Sequence, residues 1–334
     1  MNEKSYVGFA LLGCGLMGDR HAQVICAHPN AKLITSFDLD ESRGKAFSEK
    51  FGCLYFPKME EAIAGKDVDA VLIATPSYLH ANQAFEAGGF GKHVLIEKPL
   101  AIDLESCESL IRFFEEKKLI LSVVSQKRFH PAVQSLKIAI GEGLLGDIFL
   151  AEISINYHRD EHYFLESPWR SSGSESGGGV LMNQGIHYLD LLLWFLGPHK
   201  RISGFTKTVR PNYDEEDVAV GIIELSSGAL GVVTASTVTF PNSPEKLSLY
   251  GTRGSCTFVE GKGMVNWSHK EEISQPTYED ELEIPSIISP KLFSMYRNHS
   301  DFVESILLTR ETKVPARESM AVVKLVKDFY KHSS

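Results

Sequence analysis

Two short segments of the sequence carry side chains that suit proton and hydroxyl chemistry. Glu97-Lys98-Pro99 directly follows the apolar run Val94–Ile96, and His187 stands four residues after Asn183 in a second apolar run. A lysine at the carboxyl end of a parallel strand lies where such sheets bind ligands, and it can donate to a substrate hydroxyl while Glu97 holds its ammonium. Histidine titrates near neutral pH and is the usual general acid or base. Lys98 and His187 are therefore the candidate catalytic residues.

Both segments also have a purely structural interpretation. An isolated Glu-Lys-Pro is more often an exposed ion pair before a helix, and a lone histidine in an apolar helix is more often a core residue. Asn183 lies on the same helical face as His187, and both follow the run Gly177–Gly179, which favours the functional interpretation. Asp190, three residues after His187, could orient or charge-stabilise the imidazole ring, or it could serve a structural role instead.

Two arginines and a tryptophan are further candidate substrate ligands, beside Lys98, Asn183 and His187. Arg128 follows the last apolar run of the N-terminal half, and Trp169-Arg170 lies in a Ser- and Gly-rich loop. A guanidinium binds carboxylate or phosphate groups, and an indole ring beside it suits a sugar. Arg128 is equally well explained as a surface arginine at a helix entry. The histidines near residue 160 do not follow a zinc-binding pattern, so no metal site is expected.

The segment Gly13-Cys14-Gly15-Leu16-Met17-Gly18 fits the dinucleotide-binding pattern G-x-G-x-x-G. It follows the strand-like run Val7–Leu12 and opens a helical pattern, which is the context that the motif requires. Gly13 permits the tight turn, Gly15 lets the backbone approach a pyrophosphate, and Gly18 lets helix and strand pack closely. The whole segment, with Leu16 and Met17 in the first helical turn, is therefore expected to bind a dinucleotide.

Asp38 is the second part of the predicted nucleotide site. It stands twenty residues after Gly18, at the end of the strand-like run Leu33–Phe37. A carboxylate there can accept hydrogen bonds from both ribose hydroxyls of an adenosine, whereas a 2′-phosphate would meet a like charge. Asp38 could instead cap the following helix, but Asp40 suits that position better. We therefore expect NAD, rather than NADP, as the cofactor.

The elements that position these residues in the N-terminal part alternate between short apolar runs and helical periodicity. This alternation is typical of a doubly wound sheet of parallel strands with crossover helices. The predicted strands are Val7–Leu12, Leu33–Phe37, Ala70–Ala74, Val94–Ile96 and Ile120–Val124. The sequence therefore predicts an α/β Rossmann domain over residues 1–125.

After about residue 146 the strand-like runs become longer and are joined by turns, which is typical of an antiparallel sheet. The predicted strands are Asp147–Tyr157, Ile202–Arg210, Val218–Leu225, Leu230–Val238, Lys246–Tyr250 and Ser255–Val259. Helical patterns cover residues 180–195, 296–308 and 318–330. We expect a C-terminal α+β domain over residues 126–334, with a large, mostly antiparallel open sheet.

Composition narrows the class of protein. The 334 residues are 43% hydrophobic and 23% charged, with a formal net charge of -9, so the chain is globular and nucleic acid or an anionic membrane is disfavoured as its partner. Five scattered cysteines form no CxxC pair, which argues against a disulfide framework or a Cys-rich zinc site. Without a signal-peptide pattern or an apolar run of the ~20 residues that a membrane helix needs, a soluble, cytoplasmic protein is expected.

In combination these segments resemble the Gfo/Idh/MocA oxidoreductases, the family of glucose–fructose oxidoreductase and inositol dehydrogenase. The resemblance extends over nearly the whole chain. Besides the glycine motif, it rests on Ala70-Val71-Leu72-Ile73-Ala74-Thr75-Pro76 with His80, on residues 91–100 around Glu97-Lys98-Pro99, on residues 177–190, and on Gly251-Thr252-Arg253-Gly254-Ser255.

The resemblance implies a role for each matching residue. In the family, the lysine of the Glu-Lys-Pro motif touches both the nicotinamide side and the substrate hydroxyl, and the histidine of the glycine-rich helix is the usual acid/base. Many polyol dehydrogenases of the family have Asp at the position of Asn183, and since Asn cannot take a proton, His187 would act without an Asp–His relay. The residues that would line the cofactor are Thr75, Pro76, His80 and Glu97.

The activity implied is NAD-dependent oxidation of a ring hydroxyl of a sugar, polyol or sugar derivative to a ketone. Asn183 and the pattern Gln126-x-Arg128 resemble members that act on nucleotide-linked N-acetyl sugars or their uronates. One alternative is an NAD-dependent glycosidase or eliminase that oxidises its substrate transiently, and another is a non-catalytic dinucleotide-sensing regulator. Relatives form dimers or tetramers, so a homodimer or homotetramer is expected.

Overall fold

The computed structural model describes residues 5–211, 213–279 and 282–333. Its contacts divide the chain into two compact units, one of Met1–Gln126 with Leu282–Met320 and one of Lys127–Glu281 with Ala321–Ser334. Within the described residues, no helix is both long enough and apolar enough to cross a membrane.

The first unit is built on a six-stranded parallel sheet with the order β3-β2-β1-β4-β5-β6. Its strands are β1 (Val7–Leu12), β2 (Ala31–Phe37), β3 (Leu54–Phe56), β4 (Ala70–Ile73), β5 (His93–Ile96) and β6 (Leu121–Val123). Every residue of β1 and β4 is buried, as expected for parallel strands covered on both faces. The strand order reverses between β1 and β4, and the predicted Rossmann sheet is confirmed.

Helices connect these strands in the manner of a doubly wound fold. They are α1 (Leu16–Ala27), α2 (Glu41–Phe51), α3 (Met59–Ile63), α4 (His80–Gly89) and α5 (Leu104–Glu116). Asp40 caps α2, since its side chain accepts a hydrogen bond from the backbone N–H of Arg43, and Gly52 ends that helix in the left-handed conformation. The capping role that Asp38 could have taken thus belongs to Asp40.

Residues 282–320 pack with this parallel sheet, although the sequence-based division at residue 125 leaves them in the second domain. The reason is an apolar contact distant in sequence. Phe302 and Val303, buried on the helix over residues 293–307, belong to the same core cluster as Phe9 and Leu72. No local pattern in the sequence signals that return of the chain.

The second unit is built on a seven-stranded sheet with the order β13-β12-β11-β7-β10-β9-β8. Its neighbours are antiparallel except for β7 and β10, which pair in parallel, so the predicted mostly antiparallel sheet is confirmed. The strands are β7 (Ile148–Asn156), β8 (His199–Lys207), β9 (Val218–Leu225), β10 (Leu230–Ser236), β11 (Lys246–Gly251), β12 (Gly254–Val259) and β13 (Gly263–His269).

Several predicted strands differ from the observed ones at their ends, and the largest early end is that of β8. β8 stops at Lys207, not at Arg210, because the backbone N–H groups of Val209 and Arg210 donate to the Asp217 carboxylate and are not used in the ladder. Strands β3 and β13 and the helices over residues 59–63, 131–141, 161–165 and 173–176 were not predicted. The remaining helices are α6 (Pro131–Gly141), α7 (Glu161–Leu165), α8 (Gly173–Ser176), α9 (Ile186–Leu196), α10 (Phe293–Leu307) and α11 (Ala316–Lys331).

Candidate functional site

The glycine turn between β1 and α1 has the geometry that a dinucleotide requires. Gly13 has φ +95°, and a Cβ at Gly18 would lie 2.0 Å from the Gly13 carbonyl oxygen, so both positions require glycine. Apart from its two chain neighbours, no described residue has a heavy atom within 4 Å of a Cβ position at Gly15. No side chain of the described residues caps α1 at Gly15, and Leu16 is exposed. The first-turn N–H groups and the helix dipole thus fit a pyrophosphate.

Asp38 lies at the end of β2 next to this turn, and its carboxylate is engaged on both oxygens. Oδ2 accepts from the Cys14 N–H (2.8 Å) and from Arg43 Nε (3.0 Å), while Oδ1 accepts from the Asp40 N–H (2.8 Å) and an Arg43 terminal nitrogen (2.7 Å). These four bonds occupy the acceptor positions of a carboxylate. A ribose would therefore replace Arg43, whose side chain is half exposed, while the backbone donors stay in place.

Because Asp38 and Arg43 carry opposite charges next to the expected ribose, substituting either one should change the preference for NAD over NADP. Asp38→Ser is expected to lower the NAD-over-NADP ratio of kcat/KM by about tenfold or more, because a like charge beside the 2′-phosphate is removed. Arg43→Ala removes the opposing cation and is expected to raise the same ratio. Steady-state kinetics with both cofactors measure it. A wild-type enzyme that uses both cofactors equally, with an unchanged ratio in Asp38→Ser, would limit Asp38 to holding the turn.

Lys98 follows β5 by two residues and is half-buried, and its peptide bond to Pro99 is cis. Glu97, expected to hold the Lys98 ammonium, is buried, and its carboxylate points to other groups as well. One oxygen lies 2.9 Å from His21 Nε2, and the other accepts from the backbone N–H of Lys98 at 3.1 Å. Glu97 therefore helps to fix the backbone at Lys98.

A chain of buried histidines supports Glu97. His299 Nδ1 donates to the Met295 carbonyl oxygen at 2.9 Å, so its Nε2 accepts from His21 Nδ1 at 3.1 Å. Burial and the neighbouring His21 lower the pKa of His299 to about 3, which keeps its ring neutral. His21 then presents its other nitrogen to Glu97, and both rings are almost fully buried. The sequence singled out neither histidine, although His21 follows Gly18 by only three residues.

His80 ties together the two loops that the family resemblance assigns to the cofactor. It is 1% exposed, with Nδ1 2.8 Å from the Pro99 carbonyl oxygen and Nε2 3.0 Å from that of Thr75. Burial lowers its pKa, so the neutral ring donates to one carbonyl at a time. Thr75 and Pro76 are half-buried, and Thr75 Oγ1 donates to Gln83. His80 positions these loops, and Thr75 and Pro76 remain the predicted cofactor contacts.

In the second unit, the glycine run before α9 is held by close packing. A Cβ at Gly179 would lie 1.8 Å from the Glu216 carbonyl oxygen, and one at Gly178 (φ +153°) would lie 2.3 Å from Tyr330 Oη. The Glu216 carboxylate accepts from the N–H groups of Gly179 (2.8 Å) and Leu181 (2.9 Å) and from Tyr330 Oη (2.9 Å). Burial raises the pKa of Glu216 to about 7. The glycines therefore allow close contact and do not provide flexibility.

Asn183 and His187 are more exposed to solvent than most of the residues around them in the sequence. Residues 181–185 form a π-helical turn that runs into α9, and within the described segment 180–196 only Asn183, His187 and Trp194 are partly exposed. Such turns are frequent at functional sites. Asn183 Nδ2 donates to the carbonyl oxygens of Gly178 (2.8 Å) and Gly179 (3.2 Å), so it braces the turn. Unlike a core histidine, His187 reaches the surface of its unit.

Arg128 occupies a different environment from the one expected for a substrate ligand. It is 2% exposed, and its guanidinium donates to both oxygens of Asp190, at 2.7 and 2.6 Å. This pair uses the arginine internally and gives Asp190 a partner other than the His187 ring, for which the sequence had suggested it. The geometry therefore argues against contact between Arg128 and a substrate anion.

Because this ion pair is buried, breaking it is expected to affect stability. Arg128→Met leaves the Asp190 carboxylate buried without its guanidinium and should lower the free energy of unfolding by about 3–5 kcal/mol. Chemical denaturation measures the change. Replacing both residues, as in Arg128→Met with Asp190→Leu, should recover part of the loss. A loss of binding to an acidic sugar at unchanged stability would restore Arg128 as a substrate ligand.

Trp169 and Arg170, the remaining predicted substrate ligands, lie in a 3₁₀ turn over residues 168–171 and are half-buried. The Arg170 guanidinium stacks on the rings of Tyr163, 4.4 Å from the centroid, and Trp169, at 5.4 Å. Its one hydrogen bond among the described contacts goes to the Tyr163 carbonyl oxygen, at 3.3 Å. The guanidinium is thus held by aromatic rings and retains donors for a ligand.

Both halves of the chain match known protein families. Residues 7–125 match the oxidoreductase family with an NAD-binding Rossmann fold, and residues 133–257 match the GFO/IDH/MocA C-terminal domain. A solved structure, the WlbA dehydrogenase from Bordetella pertussis in complex with NADH and UDP-GlcNAcA, superposes with a TM-score of 0.88 at 26% identity, over 98% of this chain and 96% of that one.

Two curated relatives are similar over part of the sequence. The 2,7-anhydro-N-acetylneuraminate hydratase of Escherichia coli (strain K12) is 27% identical over 75% of this chain and 66% of its own length, just under two thirds. The scyllo-inositol 2-dehydrogenase (NAD(+)) of Bacillus subtilis (strain 168) is 27% identical over 74% of this chain and 72% of its own length. Because the two family matches over residues 7–125 and 133–257 together cover most of the sequence, the chain belongs to the Gfo/Idh/MocA family of NAD-binding oxidoreductases.

Proposed function

We propose that this protein is an NAD-dependent dehydrogenase that oxidises a ring hydroxyl of a sugar, polyol or sugar derivative to a ketone. The observation that carries the proposal is the arrangement around the switch point of the parallel sheet. The glycine turn follows β1, and Lys98 follows β5, two strands away in the sheet, so a lysine lies at the same edge as the turn that fits the dinucleotide. A dinucleotide-binding module alone would not need that lysine.

Each residue has a stated task in this reaction. Bound NAD would supply the acceptor for the hydride that leaves the substrate carbon. The glycine turn and the first turn of α1 would hold the pyrophosphate, and Asp38 the ribose hydroxyls. The Lys98 ammonium would donate to the hydroxyl oxygen and stabilise the negative charge that develops there. An imidazole nitrogen of His187 would take the hydroxyl proton, while Asn183, which cannot, keeps the turn in place.

A second candidate reaction is addition or elimination of water on a sugar, with oxidation only transient. It is favoured by the Escherichia coli relative, whose name is that of a hydratase acting on an anhydro sugar acid. The same residues serve in both reactions, because both begin by removing a hydride and a proton from the substrate. The two differ in whether reduced cofactor accumulates.

Incubation of the purified protein and NAD with a panel of neutral sugars, sugar acids and nucleotide sugars tests the proposal. A dehydrogenase releases one NADH per ketone formed, and absorbance together with product mass measures both. Product without net NADH would identify the hydratase or eliminase instead. Cofactor binding without any turnover across the panel would contradict both and leave the sensor alternative. Lys98→Met provides the background rate.

We further propose that the protein self-associates through the open side of its seven-stranded sheet. Apolar residues are exposed on adjacent strands there, where Phe205 of β8 pairs with Val220 of β9, and Ile222 of β9 and Leu230 of β10 lie beside them. Such a contiguous apolar surface is typical of an interface. Ile222→Glu should shift a dimer or tetramer toward monomer in sedimentation velocity, and a wild-type monomer would contradict the proposal.

A further inference from the structure

Three arginine side chains gather at one edge of the seven-stranded sheet. β7 and β10 are parallel, and β8 runs in the same direction because both β8 and β10 are antiparallel to β9. Their carboxyl ends therefore meet at the same edge. Arg159 stands three residues after β7, and Arg210 three residues after β8. With Arg170, whose turn follows α7, they form what we call the arginine cluster (Arg159, Arg170 and Arg210).

The backbone under the cluster is fixed by hydrogen bonds. The Arg159 N–H donates to the Thr237 carbonyl oxygen at 2.8 Å, just beyond the end of β10. The Arg210 guanidinium donates to Thr237 Oγ1 at 2.9 Å, to the Thr237 carbonyl oxygen at 2.6 Å, and to the Arg159 carbonyl oxygen. Arg210 thus ties the ends of three strands together and holds Arg159 in place. The cluster is part of the rigid sheet edge.

Aromatic rings hold the guanidinium groups in position. Tyr163 is shared by Arg159, 5.0 Å from its centroid, and Arg170, at 4.4 Å. Arg159 also lies 4.6 Å from the Tyr157 ring. Arg210 lies 4.9 Å from the ring of Phe164, which stacks edge-on against Tyr213. Stacking on aromatic faces orients arginine without using its N–H donors.

In the part of the chain that the structure describes, the cluster lacks an ion-pair partner. Among residues 5–211, 213–279 and 282–333, no carboxylate lies within ion-pair distance of Arg159, Arg170 or Arg210, and the Arg159 Nε is buried without a hydrogen-bond partner. The nearby Asp160 and Asp217 accept backbone N–H groups, at Tyr163 and at Val209 and Arg210. Three cations held close together without a carboxylate in ion-pair contact are unfavourable in the free protein and suit an anion.

The cluster also lies next to the turn that carries a predicted substrate ligand. Gln184 Nε2 donates to Tyr163 Oη at 3.3 Å, and Tyr163 is the ring shared by Arg159 and Arg170. Gln184 directly follows Asn183 in the π-helical turn. Only the side chain of Tyr163 therefore lies between an anion bound to the cluster and the turn that carries Asn183, within the same unit.

We propose that the arginine cluster binds the carboxylate or phosphate group of an acidic sugar derivative, and that it gives the enzyme its preference for charged over neutral sugars. This inference rests on the proposed function, of which it names the substrate class. Guanidinium groups pair with either anion in two-pronged fashion, and the rings of Tyr157, Tyr163 and Trp169 offer apolar faces to the sugar. Arg159 and Arg210 were not among the residues that the sequence suggested, whereas Arg170 was.

Binding to the protein with NADH bound tests the proposal without turnover, since oxidation cannot proceed from the reduced cofactor. The probes are glucose, glucuronic acid, UDP-glucose and UDP-glucuronic acid, titrated by calorimetry into wild type, Arg159→Gln, Arg170→Gln and the double variant. Arg210 is left intact because it ties strand ends together. Arg253→Gln is the matched control, as Arg253 forms a surface ion pair with Glu271 in the same unit. Thermal melting confirms that each variant is folded.

The cluster predicts that the anionic probes bind more tightly than glucose, and that each substitution weakens them by about tenfold or more, with little effect on glucose. Loss limited to glucuronic acid identifies a carboxylate subsite, and loss limited to UDP-glucose a phosphate subsite. Equal affinities of wild type and folded double variant for every anionic probe would overturn the inference, even if the panel of sugars yields NADH. Weakened anion binding without NADH release from any sugar would support the cluster and contradict the dehydrogenase.

Discussion

His187→Ala is expected to lower kcat by about 10²–10⁴-fold while leaving the affinity for NAD nearly unchanged. The size follows from the loss of a positioned acid–base group. The unchanged affinity follows because the glycine turn and Asp38, in the other unit, are the expected dinucleotide ligands. Steady-state kinetics with the substrate found in the sugar panel, and titration of NADH by fluorescence, measure the two quantities.

The control for His187 must separate chemistry from packing. On α9, His187 is partly exposed while most of the helix is buried, so its truncation should cost little stability. His332→Ala makes the same substitution at an exposed histidine of the same unit and should change neither rate nor melting temperature. A His187→Ala protein that melts well below wild type, yet turns over normally in its folded fraction, would show a packing role and refute the mechanism.

The parts of the fold that could be predicted are those encoded by neighbouring residues. The strand before the glycine turn, the turn itself and Asp38 lie within about thirty residues, and each is dictated by a local steric or burial requirement. Pro99 and the apolar run before Glu97 similarly indicate the end of β5. Local patterns could therefore locate the nucleotide turn and Lys98 before any tertiary contact was known.

The parts that could not be predicted depend on contacts between distant segments. His21 and His299 are 278 residues apart, and only folding makes them one hydrogen-bonded chain beneath Glu97. Arginine is a residue type that commonly binds anions, but the guanidinium of Arg128 already pairs with Asp190, 62 residues later in the sequence. Conversely, no sequence pattern marks Arg159 as a ligand. Only the fold brings it next to Arg170 and Arg210.

The glycine run before α9 is explained by packing against residues that are distant in the sequence. Its place next to Asn183 and His187 favoured a functional interpretation of the segment. In the structure Gly178 and Gly179 are required by the approach of Tyr330 and Glu216. The glycines thus serve to fix the π-helical turn, which agrees with the rigid placement that an acid–base residue needs.

Lys98→Met is the second substitution expected to have a large effect, lowering kcat by about 10²–10³-fold, as is typical when a donor to a developing oxyanion is lost. Methionine retains most of the apolar stem but carries no charge. Because Lys98 is half-buried at the end of β5, beside loops tied by His80, a moderate rise in the KM for NAD is expected as well. Initial rates over a grid of NAD and substrate concentrations separate the two effects.

Lys92→Ala is the matched control, because Lys92 lies at the opposite end of the same strand and donates to the Val68 carbonyl oxygen at 2.7 Å. It should leave kcat unchanged and cost a little stability. Lys98→Arg keeps the charge but changes the geometry of the donors, so it should recover only part of the rate. If Lys98→Met lost stability and kept kcat, Lys98 would be one half of a structural ion pair. If Lys98→Arg were as active as wild type, charge alone at the end of β5 would suffice, and the hydrogen bond from the ammonium to the substrate oxygen would have to be abandoned.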